Sequence, residues 1–180
     1  RKKHRVESWI FQSPMFSARD WQDDANMLID RLPAEVRKVI RYCHEIGATD
    51  SKVYQDAMST YYARHVCRNK ARVKRSVRIK NPNGEKVYEY MWGASEFSAT
   101  GTLKNYDRVS DLDRIQSPTL FLCGEHDEAR PSTARGYTRK IADARFEKID
   151  GASHAILSEK PGQLIRRIRH FVRQVEHGSN

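Results

Sequence analysis

The sequence has 180 residues, 38% hydrophobic and 31% charged, and its 33 basic and 23 acidic residues give a formal net charge of +10. This length and balance describe one domain with a real core and exclude collagenous, disulfide-built or wholly disordered chains. No apolar run approaches the roughly 18 residues of a membrane span, and the opening RKKHRVE lacks the apolar segment of a signal peptide, so a cytoplasmic protein with no membrane partner is expected.

Arg1 to Arg5 carries four of the positive charges. Val6 to Gln12 (VESWIFQ) then reads as a buried strand, ended by Ser13 and Pro14 because a residue before proline avoids the helical region. With Trp9, Ile10 and Phe11 apolar on both faces, this strand is unsuited to a sheet edge. Ala18 to Leu32 is mostly polar, with Trp21, Ala25, Leu28 and Ile29 at helical spacing, and Pro33 suits the first turn of the next helix. Val36, Val39, Ile40 and Cys43 form one face of that helix, which Gly47 ends. Asp50 or Ser51 caps a third helix, where Val53, Tyr54, Ala57, Met58, Tyr61 and His65 recur at three and four residues. Core packing accounts for all of these stripes.

Arg64 to Lys80 holds eight positive charges and no acid. Outside it and the first five residues, 21 basic residues face 23 acidic ones, so the charge excess is local. The isoelectric point of about 9.7 passes the threshold of a basic domain. A solvated face nevertheless explains the run more simply than contact with an acidic surface or RNA, since no nucleic-acid motif accompanies it. Tyr61 and Tyr62 next to it are what a base-stacking reading would use. RVKRSVRIK inside the run suits a strand or an exposed helix and is left open. Asn81 to Gly84 (NPNG) is a turn signal, and the aromatic cluster Tyr88, Tyr90, Trp92 and Phe97 follows it.

From Ser117 the pattern becomes a regular α/β rhythm. Thr119 to Cys123 (TLFLC) is a buried strand stopped by Gly124, Pro131 to Ala142 a helix, and Arg145 to Ile149 a second strand before the turn at Asp150 and Gly151. Pro161 opens a final helix whose Leu164, Ile165, Ile168, Phe171, Val172 and Val175 lie opposite Arg166, Arg167, Arg169 and Arg173. Such a rhythm predicts a parallel sheet, with chemistry beyond the carboxyl ends of its strands. The loops there are GEHDEAR and GASHAILS. The three cysteines, Cys43, Cys67 and Cys123, form no CxxC or Cys/His pair at zinc spacing, which argues against a disulfide framework or structural metal.

Asp127 stands four residues past one predicted strand and His154 five past the next, so both project at one edge of the sheet. An acid there can fix the tautomer of a catalytic imidazole and stabilise the imidazolium. Spacing alone is equally compatible with two loop side chains that cap their own turns.

GEHDEARP, GASHAILSEKP and the upstream MWGASEFSATGTLKNYD resemble the proline iminopeptidase family of α/β-hydrolases. SPMFSARDWQDDANMLIDRLP and the helices ending in YYARHVCR resemble that family's inserted helical cap. The resemblance implies the C-terminal part of an α/β-hydrolase fold: residues 1–16 a strand and the lead into the cap, 17–106 the cap over the carboxyl edge of the strands, and 107–180 the core segment. It matches Asp127 with the triad acid, His154 with the triad base, and Glu96 and Glu128 with carboxylates that hold the ammonium of a peptide's N-terminal residue. It implies a peptide substrate with a free N-terminus and no metal or organic cofactor. The nucleophile elbow G-x-S-x-G occurs nowhere in the chain, and GASEF lacks its last glycine. An N-terminal half supplying the serine is therefore the expected partner, and the chain alone is expected to be inactive, with Ser95 and Ser153 the first suspects if it is not. Esterases and epoxide hydrolases share the Asp and His loops; WGASEF and the paired acids Asp127 and Glu128 favour a peptidase.

Overall fold

A computed structural model describes residues 6–69, 82–95 and 97–178. In chain order its elements are β1 (Trp9–Gln12), α1 (Ala18–Ile29), α2 (Ala34–Glu45), α3 (Lys52–His65), α4 (Pro82–Met91), a 3₁₀ turn (Val109–Arg114), β2 (Thr119–Gly124), α5 (Pro131–Thr138), β3 (Ala144–Ile149), the short α6 (Ile156–Glu159) and α7 (Pro161–Gly178). The chain divides into two compact units, Arg1–Pro14 with Arg108–Asn180 and Met15–Asp107.

The first unit is an α/β layer around a sheet of order β1-β2-β3. Both pairings are parallel, with Trp9 opposite Thr119 and Thr119 opposite Ala144. Central β2 is buried at every position, which is why TLFLCG is continuously apolar and not alternating. Successive side chains still point to opposite faces. Leu120, Leu122 and Ile149 pack with Leu164 and Phe171 of α7, joined by Ile10, Ile168, Val172 and Val175. On the other face Phe121 meets Phe11 at 5.2 Å between ring centroids, and Arg135 of α5 lies over the ring of Phe146. Helices thus cover both faces of β2 and β3.

The second unit is helical, with Leu28, Ile29, Leu32, Ile40, Cys43, Tyr54, Met58, Tyr61 and Phe97 in one core. Ser17 caps α1 by accepting from Asp20 N at 3.2 Å, and Ser51, not Asp50, caps α3 by accepting from Tyr54 N at 3.3 Å. The unit's two ends meet where Ala18 N donates to Tyr106 O at 2.8 Å.

Several expectations need correction. The first strand begins at Trp9 and the helix after β2 ends at Thr138. Val53 and Ile165, 55% and 41% exposed, leave their stripes because each stands one residue, about 100° of helix, from the centre of the buried arc. The turn read at Asn81 to Gly84 is instead the start of α4 from Pro82 onward, since proline's fixed φ and missing N–H suit a first helical turn as well as a β-turn. Tyr88 and Tyr90 are exposed while Trp92 and Phe97 are buried, so the four aromatics form no single cluster. Tyr61 is wholly buried and cannot stack on a base. Arg1 to Arg5, residues 70–80, Asn81 and Glu96 lie outside the described residues. Among the described residues no helix is long and apolar enough to cross a membrane.

Candidate active site

The carboxyl ends of β2 and β3 lie side by side in the first unit, and the loops that leave them are stitched together. Glu125 N donates to Ile149 O at 3.0 Å and His126 N to Ala152 O at 2.9 Å. Gly151 N donates to Glu125 Oε2 at 2.8 Å. That amide, and next the Lys148 ammonium, hold the Glu125 carboxyl below its ordinary pKa, while a hydrogen bond to Asp150 raises Lys148. Closeness here requires glycine at 124. A Cβ on it would meet Ser153 O at 2.4 Å and Ala152 O at 2.7 Å.

These loops bring Asp127 and His154 into contact. His154 Nδ1 lies 2.9 Å from Asp127 Oδ1, with the Asp127 side chain fully buried and the imidazole 35% exposed. The carboxylate accepts further bonds from Ala129 N on Oδ1 at 3.0 Å, and from Gly124 N at 3.0 Å and Ser13 Oγ at 2.6 Å on Oδ2. A buried carboxylate needs such donors, because desolvating it unpaired is costly. The geometry turns Nδ1 toward the acid, and in the neutral imidazole a proton held on Nδ1 makes Nε2 the ring's accepting nitrogen. Glu128, also buried, places Oε1 3.9 Å from the same Nδ1. Three of the four residues singled out in the sequence therefore lie together. The fourth, Glu96, lies outside the described residues.

Each of the two suspected serines is tied into hydrogen bonds within its own unit. Ser153 Oγ donates to Glu159 at 2.9 Å and its amide to the same carboxylate at 2.6 Å, which pins the start of the His154 loop. Ser95, in the other unit, joins His44 Nε2, Tyr54 OH at 3.4 Å and Phe97 N at 3.3 Å, and its carbonyl accepts from Trp92 Nε1 at 3.1 Å. It organises the WGAS turn, where Gly93 takes φ +126° and a Cβ would meet Thr100 Oγ1 at 2.3 Å. Burial, and then the Arg41 charge, hold the His44 imidazole below its ordinary pKa. Sequence reasoning missed Ser13, Glu125, Glu159 and His44. Ser13, Glu125 and His44 act through partners distant in sequence and Glu159 through Ser153 six residues before it, and only Ser13 carries a local mark, the proline that follows it.

No family model matches the chain. A proline iminopeptidase of Heyndrickxia coagulans is 32% identical over 177 residues, covering 97% of this chain and 61% of that protein. The crystal structure of a proline iminopeptidase from Mycobacterium smegmatis matches with a TM-score of 0.84 at 30% identity, over 96% of this chain and 58% of its own. The crystal structure of VinJ matches with a TM-score of 0.87 at 27% identity, over 97% and 60%. The chain spans about three fifths of the length of these relatives.

Proposed function

Because the chain belongs to the proline iminopeptidase family of α/β-hydrolases, we propose that it carries the acid and base of a serine aminopeptidase that removes the N-terminal residue of peptides, proline preferred. The observation that supports this most is the 2.9 Å contact between His154 Nδ1 and Asp127 Oδ1 at the carboxyl edge of a parallel sheet. His154 takes the proton of a nucleophilic serine at Nε2, Asp127 stabilises the imidazolium, and His154 returns the proton to the leaving amine. The serine and the oxyanion donors come from residues outside these 180, supplied by an N-terminal half, because the chain contains no G-x-S-x-G. In this reading residues 17–106 are the inserted cap, 1–16 lead into it, and 107–180 are the core segment.

Glu128 and Glu96 are the carboxylates that bind the substrate's ammonium by charge-assisted hydrogen bonds. The burial of Glu128 beside His154 supports a place for it next to the scissile bond. No metal or organic cofactor enters, and the setting is the cytoplasm.

The test combines this chain with an N-terminal segment bearing the elbow and follows hydrolysis of a prolyl amide. Activity is expected only in the combination, and His154→Ala abolishes it. Glu128→Gln or Glu96→Gln lowers turnover of substrates with a free N-terminus by about tenfold or more, while N-blocked esters are little affected. Equal losses on both substrates would remove the amine-binding role, and turnover by this chain alone that is lost in His154→Ala would place a nucleophile within it.

A further inference from the structure

We propose that Ser13 is a positioning residue for the catalytic acid, its hydroxyl fixing the Asp127 carboxylate in the orientation from which Oδ1 receives the Nδ1 proton of His154. The inference rests on the Asp127 and His154 roles proposed above and adds a member from a different strand.

Ser13 Oγ donates to Asp127 Oδ2 at 2.6 Å, 114 residues away in the chain, and both residues are buried. An ionised carboxylate only accepts, so the hydroxyl is the donor. The other bond to Oδ2 comes from Gly124 N, and Ala129 N and His154 Nδ1 share Oδ1. The two backbone amides belong to Asp127's own turn and move with it. Ser13, at the end of β1, is the donor that ties the far oxygen to the sheet from outside that turn, opposite the oxygen that His154 meets.

The backbone of Ser13 adds a second, independent observation. Its φ of +48° lies in the left-handed region that favours glycine. Its N–H nevertheless bonds Leu122 O at 2.8 Å, so the chain completes the β1–β2 ladder and leaves the sheet by this conformation. Glycine would hold such a turn with less strain. What serine adds there is the hydroxyl, aimed at a buried charge, and a strained residue gripping a charged group is the arrangement expected where the position of that group matters.

Nitrogen-15 spectra of the His154 ring in the intact chain read this directly, because they report which ring nitrogen carries the proton in the neutral imidazole. The unsubstituted chain is expected to favour the Nδ1–H form. Ser13→Ala and Ser13→Gly should each lower the ratio of Nδ1–H to Nε2–H by about threefold to tenfold, a fraction of one charge-assisted bond. Thermal unfolding separates positioning from mere structure. Glycine relieves the left-handed backbone and alanine does not, so the two variants should differ in Tm while shifting the tautomer ratio alike. An unsubstituted chain with no Nδ1–H excess would overturn the dyad and this role with it. An excess that survives both substitutions, or that falls in Ser13→Ala and not in Ser13→Gly, would overturn the role of Ser13 alone.

Discussion

Gly124 occupies the point where the two loops of the candidate site come closest, with Ala152 and Ser153 carbonyls where a side chain would begin. Those contacts are backbone, not flexible side-chain ends, so Gly124→Ala must push the His154 loop away from the Asp127 loop. Overpacking of this kind costs about 1–3 kcal/mol. A urea titration should show that loss, and the His154 ring should lose its preference for the Nδ1–H form in the same variant. Unchanged stability would show that the loops can part without cost. His44 makes a second residue-scale prediction. Its folded pKa lies below the ordinary 6.5, so the unfolded chain binds the proton more readily. The stability contributed by the neutral ring is therefore complete above about pH 6.5 and falls as pH drops toward the lowered value. Denaturant midpoints from pH 8 to 5 should decline, and His44→Gln should flatten the decline; an identical slope in both would remove His44 as its source.

Helix α7 shows how burial sorts residues of similar chemistry. Phe171 is 2% exposed and packs against β2 and β3, whereas Ile165 on the same helix is 41% exposed. Phe171→Ala should destabilise the first unit by about 3–5 kcal/mol through lost transfer energy and the cavity left behind. Ile165→Ala should stay within about 0.5 kcal/mol of the parent. Chemical denaturation of the two variants checks the contrast, and comparable losses would show that α7 packs by a different face. At the level of elements, the β2 strand and the α7 stripe were legible because an unbroken apolar run and a 3.6-residue period are local patterns. The ends of β1 and α5 were not, because ladder and helix boundaries depend on which backbone groups find partners across the fold.

At the scale of the molecule, β1 has a sheet neighbour on one side only among the described residues. It displays Trp9 and Phe11 stacked at 5.7 Å, with Trp9 39% exposed. A strand edge of this kind pairs readily with another chain. Sedimentation velocity of the 180-residue chain should therefore show association that grows with concentration and weakens when an N-terminal segment of the family is added. A monomer at all concentrations would contradict the edge argument.

The sequence by itself determined the α/β character of the first unit, the helical character of the second, and the placing of Asp127 and His154 just past neighbouring strands. Strand, turn and helix signals there are written in consecutive residues, and the parallel order follows from the crossovers they require. Only the tertiary structure decided which hydroxyl and amides surround the Asp127 carboxylate, that Glu159 anchors the His154 loop, that Ser95 serves His44 and the WGAS turn, and that Pro82 opens a helix. The reason is physical. Ser13 and Asp127 are 114 residues apart, and a buried hydrogen bond between them comes into being only when β1 and β2 pair in the register that sets Gln12 against Leu122.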